Sequence, residues 1–434
     1  MAGCNPPPSS GAKPHRPNIL LISLDACRAD RLGCYGCRRD TSPFLDQLAR
    51  RGTRFTNAFV NTHGTPPSHV TMLSGLYQET HRVSYSATSP EPSENFVPDG
   101  IVMLPEMLRS SGYYSIGVTD GGYMSACQGF DQGFDMYFDG CTGVVSGTAK
   151  LLELAEGALR LGKPVFAFLH TYQIHSPYQP PEKYRTIFGT YESDFVPSNE
   201  NLMAVMTDVH AHLSEADIDF LSAMYDGGIR YTDDTLRSFF ARLKVMGFCE
   251  NWLVIVTSDH GEEFGEHGGL LHGVSLYDEI LHIPLIVAGT TVTAGTVDRR
   301  MASMIDIAPT ILSTAGAAVP PALPGTNLVD PPISEPPARP AVFSQYADEL
   351  YSIRTQRWKL IEDRERGTTK LYDLVSDPGE QHDLSEERPD VRRNLLPRLR
   401  KWRRSCTPLQ GLDWTRPAIT QRDIDRLKLL GYLR

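Results

Sequence analysis

The run Trp252-Leu253-Val254-Ile255-Val256, followed by Ser258-Asp259-His260-Gly261-Glu262, restricts the fold more than any other stretch of this chain. A continuous apolar run fits a strand buried on both faces, as in a parallel sheet. The acid, histidine and glycine at its carboxyl end then lie where open α/β sheets bind ligands. The same grammar occurs near the start, where Asn18-Ile19-Leu20-Leu21-Ile22-Ser23-Leu24 runs into Asp25. Two such strands would bring their acids together. Carboxylates about 4 Å apart repel by roughly 4 kcal/mol at an effective dielectric near 20, so a cation between them is the economical explanation. Asp25, Asp259 and His260 are therefore the candidate metal ligands.

A chain of 434 residues exceeds the usual size of one hydrophobic core, so a large α/β domain with a smaller companion is expected. The formal net charge of −10 speaks against a nucleic-acid binder, which needs clustered Lys and Arg. No apolar run approaches the roughly 20 residues that span a bilayer. Residues 1–16 are rich in Pro, Ser and Gly and lack the apolar core of a signal peptide; they read as a disordered leader, and the expected location is cytoplasmic. The eight cysteines form no dense framework, and the Cys34/Cys37 pair has no second such pair to complete a zinc site, so free thiols are expected.

The pattern predicts a helix over 42–50 capped by Ser42, with Pro43 in its first position, and a strand over 55–60. Pro67 and Ser68 suit a helix start that leaves Thr65 just outside an N-terminus, where an anion is favoured. A helix over 104–109 and strands over 114–118 and 165–169 follow, with His170, Tyr172 and His175 in the loop after the last. Residues 180–214 read as an irregular insertion suited to a lid, 216–246 as a long helix bent at Gly227-Gly228, 283–287 as a strand and 307–314 as a helix. The expected organisation is a catalytic domain over 17–320, a proline-rich linker over 321–340, and a subdomain over 341–434. That subdomain holds a small antiparallel sheet and helices near 390–403 and 421–430.

Several motifs, in order, resemble the sulfatase branch of the alkaline phosphatase superfamily. They are Asn18 to Asp25, Arg28-Ala29-Asp30-Arg31-Leu32-Gly33-Cys34-Tyr35-Gly36, Thr65-Pro66-Pro67-Ser68-His69 before Leu73-Ser74-Gly75, Ser258 to Glu262, and Trp358 to Ile361 with Leu371 to Leu374 and Asp377-Pro378. The resemblance implies a sulfate- or phosphate-ester hydrolase on a mostly parallel sheet flanked by helices, with a small C-terminal antiparallel sheet. It makes Asp25, Asp259 and His260 metal ligands and puts the nucleophile at Thr65, with its oxygen on the ion. Type I sulfatases carry Cys-x-Pro-Ser-Arg and convert the cysteine to formylglycine; here Thr65 and His69 stand at the cysteine and arginine positions, so no formylglycine is expected. Ala26 replaces the second acid of the usual Asp-Asp pair, and the Lys/His sulfate-holding motif has no counterpart around 117–123. Threonine nucleophiles occur in related phosphodiesterases, phosphonoacetate hydrolases and phosphoethanolamine transferases. The transferases also carry Leu-His-Gly after Ser-Asp-His-Gly-Glu, matched here by Leu271-His272-Gly273.

The resulting expectation is a metal-dependent hydrolase of phosphoesters or phosphonates acting through Thr65 and a covalent phospho-enzyme. His272 and His175 are assigned catalytic positions, and His170 and His69 contacts to a small anionic substrate. Mixed Asp/His ligation of one divalent ion suits Zn²⁺ or Mn²⁺, with Mg²⁺ and Ca²⁺ as alternatives; Ca²⁺ prefers oxygen donors alone. A second ion would need further ligands such as Asp208 and His212. Arg28 and Asp30 read as a turn ion pair, and His63, His81, His267 and His282 as structural. The alternatives are a sulfate-ester hydrolase, a phospho- or sulfotransferase, and a catalytically silent binding protein on the same fold.

Overall fold

The computed structural model describes residues 16–84, 96–191, 193–207, 213–272, 274–329, 339–415 and 421–429. Residues 1–15 of the expected leader, residues 330–338 of the linker, and the Asp208/His212 pair lie outside the described residues. Eight strands form the main sheet: β1 (Asn18–Leu24), β2 (Thr53–Phe59), β3 (Tyr114–Val118), β4 (Met136–Phe138), β5 (Val165–Thr171), β6 (Trp252–Thr257), β9 (Leu285–Gly289) and β10 (Thr296–Ser303). A two-stranded hairpin, β7 (Glu263–Phe264) and β8 (Leu270–Leu271), leaves the carboxyl end of β6. The sheet order is β10-β2-β9-β6-β1-β5-β3-β4, and every pairing is parallel except the two made by β9.

The central strand β1 is buried along its whole length, and its side chains alternate between two cores. Ile19 and Leu21 pack with helix α2 (Thr65–Ser74) through Val70, Met72 and Leu73, and with Ile311 and Leu312 of the helix Ile307–Thr314. Leu20, Ile22 and Leu24 face Leu45 and Leu48 of helix α1 (Pro43–Arg50), Leu151 and Ala155 of the helix Val144–Leu159, and Leu221 and Leu236 of the helix Glu215–Val245. This period-two division makes the large domain a helix–sheet–helix sandwich. β11 (Val342–Tyr346), β12 (Leu350–Arg354), β13 (Trp358–Asp363) and β14 (Thr368–Asp373) form the expected antiparallel sheet, which packs Ile353, Leu360 and Leu371 against Leu395, Leu399 and Trp402 of the helix Pro389–Ser405.

Several local expectations are corrected. Ser42 does not cap α1: its hydroxyl accepts from Gly33 and donates to Asp46, while Asp233 of the long helix receives the Phe44 and Leu45 amides. Thr65 is the first residue of α2, with Gly64 as its cap, and does not lie outside the helix. β5 continues through His170, so that residue is in the strand and not in the loop. The long helix runs unbroken through Gly227 and Gly228; a Cβ at Gly227 would stand 2.3 Å from the Tyr184 carbonyl oxygen, so that glycine permits close packing. Residues 180–214 contain two short helices, Glu182–Arg185 and Asn199–Thr207. Arg28 and Asp30 do pair, at 2.7 Å, and no disulfide joins the described cysteines. Among the described residues no helix is long and apolar enough to cross a membrane.

Charge joins the two sheets. Fully buried Lys359 on β13 reaches Asp278 at 2.8 Å and Glu380 at 2.9 Å, and Arg354 on β12 reaches Asp278 at 2.9 Å. Against the cost of burial, Arg354 and Lys359 hold the Asp278 carboxyl well below the usual carboxylate range. Removing one partner of a buried ionic group strands the others without compensation, at about 3–5 kcal/mol. Lys359→Ala is therefore expected to lower unfolding stability by about that much in urea denaturation; a loss under about 1 kcal/mol would mean this cluster does not hold the sheets together.

Candidate active site

The site forms at the carboxyl ends of β1, β5 and β6. β1 pairs in parallel with both neighbours, Ser23 opposite His170 on one side and opposite Thr257 on the other. The register brings Asp25, just past β1, level with Asp259, just past β6. Asp25, Asp259 and His260 are fully buried, and one ligand atom from each lies within 4.8 Å of the others.

Hydrogen bonds decide which atoms remain available. Asp259 Oδ1 accepts from the Ala26 and His260 amides at 3.1 and 3.0 Å. Asp25 Oδ2 lies 3.0 Å from His170 Nε2 and accepts from the Thr65 hydroxyl at 3.3 Å. His260 Nδ1 donates to the Gly261 carbonyl at 2.8 Å, which leaves the lone pair of a neutral ring on Nε2. The atoms left without a hydrogen-bond partner are Asp25 Oδ1, Asp259 Oδ2 and His260 Nε2. His260 Nε2 lies 3.9 Å from the first and 3.3 Å from the second. Three buried acceptors facing one another fit a divalent cation, with their other atoms fixed by surrounding donors as metal ligands require. Burial and the neighbouring Asp259 charge push the Asp25 carboxyl up. Asp259, though buried as deeply, is held below its usual range by His260, His69 and His170.

Histidines surround this cluster. His272 follows β8, and Leu271 adopts a left-handed φ of 64° before it. Because Glu263 on β7 pairs with Leu271 on β8, the flanking Glu262 and His272 meet, Oε1 to Nδ1 at 2.9 Å. The His272 ring lies 4.4 Å from that of His260 and 4.9 Å from that of His175. Burial lowers His175 to about 3 and His272 to about 4, so both rings are neutral near pH 7. Burial also raises Glu262 to about 7.

The two histidines expected to contact substrate, His69 and His170, have partners within the protein. His69 uses both ring nitrogens within the protein, Nδ1 with the Thr65 carbonyl at 2.8 Å and Nε2 with Ser23 Oγ at 2.9 Å, so it fixes the start of α2. His170 turns its Nε2 to Asp25, a position that orients a candidate ligand. His81, His267 and His282 hold local partners, as expected. His63 does not: it is buried, its ring nitrogens have no hydrogen-bond partner, and the His260 and His272 rings act on it. Sequence gave no cue to His63 beyond its place two residues before Thr65. The Glu262 contact was legible only as the last residue of the Ser258–Glu262 motif.

Residues 17–317 match the sulfatase family model, and residues 265–405 match the model of the N-sulphoglucosamine sulphohydrolase C-terminal region. The chain belongs to the sulfatase family. Its members are hydrolases, and the buried Asp25/Asp259/His260 cluster agrees with the divalent metal that sulfatase-family enzymes use. The multifunctional alkaline phosphatase superfamily protein PehA of Trinickia caryophylli is 27% identical over 399 residues, covering 72% of this chain and 76% of that protein. The Delta 4,5-hexuronate-2-O-sulfatase of Bacteroides thetaiotaomicron is 22% identical over 418 residues, covering 86% and 85%. Among solved structures, the phosphonate monoester hydrolase of Agrobacterium radiobacter superposes with a TM-score of 0.73 at 24% identity, over 90% of this chain and 96% of that one.

Titration of the metal-stripped sulfatase-family chain with Zn²⁺ or Mn²⁺ is expected to saturate near one ion per chain. Asp259→Ala should weaken binding at least tenfold, since loss of even an outer partner of a metal site costs about 10–100-fold. Wild-type affinity in that variant would remove Asp259 from the ligand set.

Proposed function

We propose that this protein hydrolyses phosphoesters or phosphonate esters, with Thr65 as nucleophile and a phospho-threonine intermediate. The observation that carries the reading is the Thr65 hydroxyl, which begins helix α2 and hydrogen-bonds Asp25 beside the unpartnered ligand atoms. A threonine cannot become formylglycine, so the hydrated-aldehyde route of type I sulfatases is not open to this chain.

Asp25, Asp259 and His260 would hold the divalent cation, which when bound favours an ionised alcohol and neutralises anionic oxygens. Thr65 Oγ1 attacks phosphorus as its proton leaves toward Asp25. The Oγ1–P bond forms and the P–O bond to the leaving alcohol breaks. The N-terminus of α2 favours the anion at this point. Glu262, raised to about 7 by burial, holds a proton against His272 Nδ1, so His272 gives its Nε2 proton to the leaving oxygen as Glu262 passes its own to Nδ1, and His175 holds the same group. His170 and His69 act on the reaction through Asp25 and the start of α2. Water then attacks phosphorus and gives a proton back to the His272/Glu262 pair; the Oγ1–P bond breaks, and Asp25 returns its proton to Oγ1, restoring the hydroxyl.

A sulfate-ester hydrolase is the second reading, supported by the family match and by the sugar-sulfatase relative. Aryl phosphodiester, phosphonate monoester, phosphate monoester and sulfate ester substrates assayed side by side separate the two. The expected result is turnover of phosphorus esters above sulfate, with Thr65→Ala lowering kcat by roughly a thousandfold or more, as nucleophile removal does elsewhere. Full activity in Thr65→Ala would exclude the nucleophile, and a preference for sulfate would favour the second reading.

A further inference from the structure

His63 is the side chain near the candidate site whose chemistry the proposed steps leave unused. Its ring is buried, 1% exposed, and stacks on Tyr346 of β11 with centroids 4.6 Å apart and planes 9° from parallel. The loop around it is pinned from both sheets. The Gln345 amide donates to the Asn61 carbonyl at 2.9 Å, the Asn61 side-chain amide donates to the Phe343 carbonyl at 2.8 Å, and Ser68 Oγ donates to the Thr62 carbonyl at 2.8 Å. Thr62 Oγ1 donates to Gln78 Oε1 at 2.6 Å. The ring therefore cannot swing away to find a partner, yet neither nitrogen has one.

A buried polar group left unsatisfied is costly, and a fixed, unpaired imidazole two residues from the candidate nucleophile is explained when a ligand completes it. A neutral imidazole offers one N–H. Only Gly64 separates His63 from Thr65, and His63 lies near enough to His260 and His272 to feel both rings. We propose that His63 contacts the substrate, its ring N–H donating a hydrogen bond to an oxygen of the anionic group held over Thr65, with Tyr346 of the small sheet fixing the ring plane. This rests on the Thr65-centred reading of the site. It adds a contact that depends on the C-terminal sheet, so substrate binding would require both sheets.

The test measures inorganic phosphate binding to the metal-loaded full chain by calorimetry, with metal content determined on the same samples. Binding needs no turnover, so its outcome is separate from that of the Thr65→Ala assay. His63→Ala is expected to weaken phosphate binding at least tenfold with metal content unchanged, His63→Gln to recover part of it through its amide N–H, and Tyr346→Leu to fall between. If His63→Ala does not fold, His63→Gln and Tyr346→Leu carry the comparison, and wild-type affinity in Tyr346→Leu with a weaker His63→Gln overturns only the role given to Tyr346. Phosphate affinity within twofold of wild type in His63→Ala, a parallel loss of metal, or no phosphate binding by the wild-type chain overturns the proposal.

Discussion

Three acceptor atoms without a donor among them, closed off from water, are the constraint around which this molecule is built. Two are carboxylate oxygens within 4.8 Å of each other, and their like charges repel unless a cation lies between them. A fold holds such a group only if stronger packing fixes the strand ends that carry it. Here β1 is buried along its whole length between two parallel neighbours, and both faces of the sheet are covered. The large cores thus impose a local arrangement that the three side chains would not adopt on their own.

The surrounding hydrogen bonds then select which atoms face inward. Each candidate ligand has one polar atom tied to a donor or acceptor and one left over: Asp259 by two backbone amides, Asp25 by Thr65 and His170, His260 by the Gly261 carbonyl. Ala26 takes part through its backbone, with a left-handed φ of 59° that directs its amide to Asp259.

Much of this was legible in sequence because it depends on local pattern. Runs such as Leu253 to Val256 announce strands buried on both faces, and an acid at each carboxyl end announces a crevice. β10 was not legible: Thr296-Val297-Asp298-Arg299-Arg300 is half exposed and polar, with none of the apolar run that marks β6. The helix Val144–Leu159 follows a glycine-rich stretch and starts from Gly143, which makes no side-chain cap to signal it. The cap of α1 comes from Asp233, nearly two hundred residues away, so Ser42 at the expected position was a misleading cue. His63 was hidden for a related reason. What sets it apart is a ring fixed by Tyr346 and two nitrogens without partners, and neither fact exists until the second sheet is in place.

Charge counting links these features to the chemistry. Asp25 and Asp259 supply two negative charges, which one divalent cation balances, whereas a second acid at position 26 would leave the centre negative. The imidazoles of His175 and His272 are neutral near pH 7, so they add hydrogen-bonding capacity without net charge. For the proposed anionic ester, orientation would then come from donors at fixed positions. The helix amides before α2 and the rings around Thr65 are such donors, held in place by packing that involves both sheets. Phosphoryl and sulfuryl groups are alike in tetrahedral shape and differ mainly in how many oxygens remain charged, so donors at fixed positions would orient either group without by themselves separating the two.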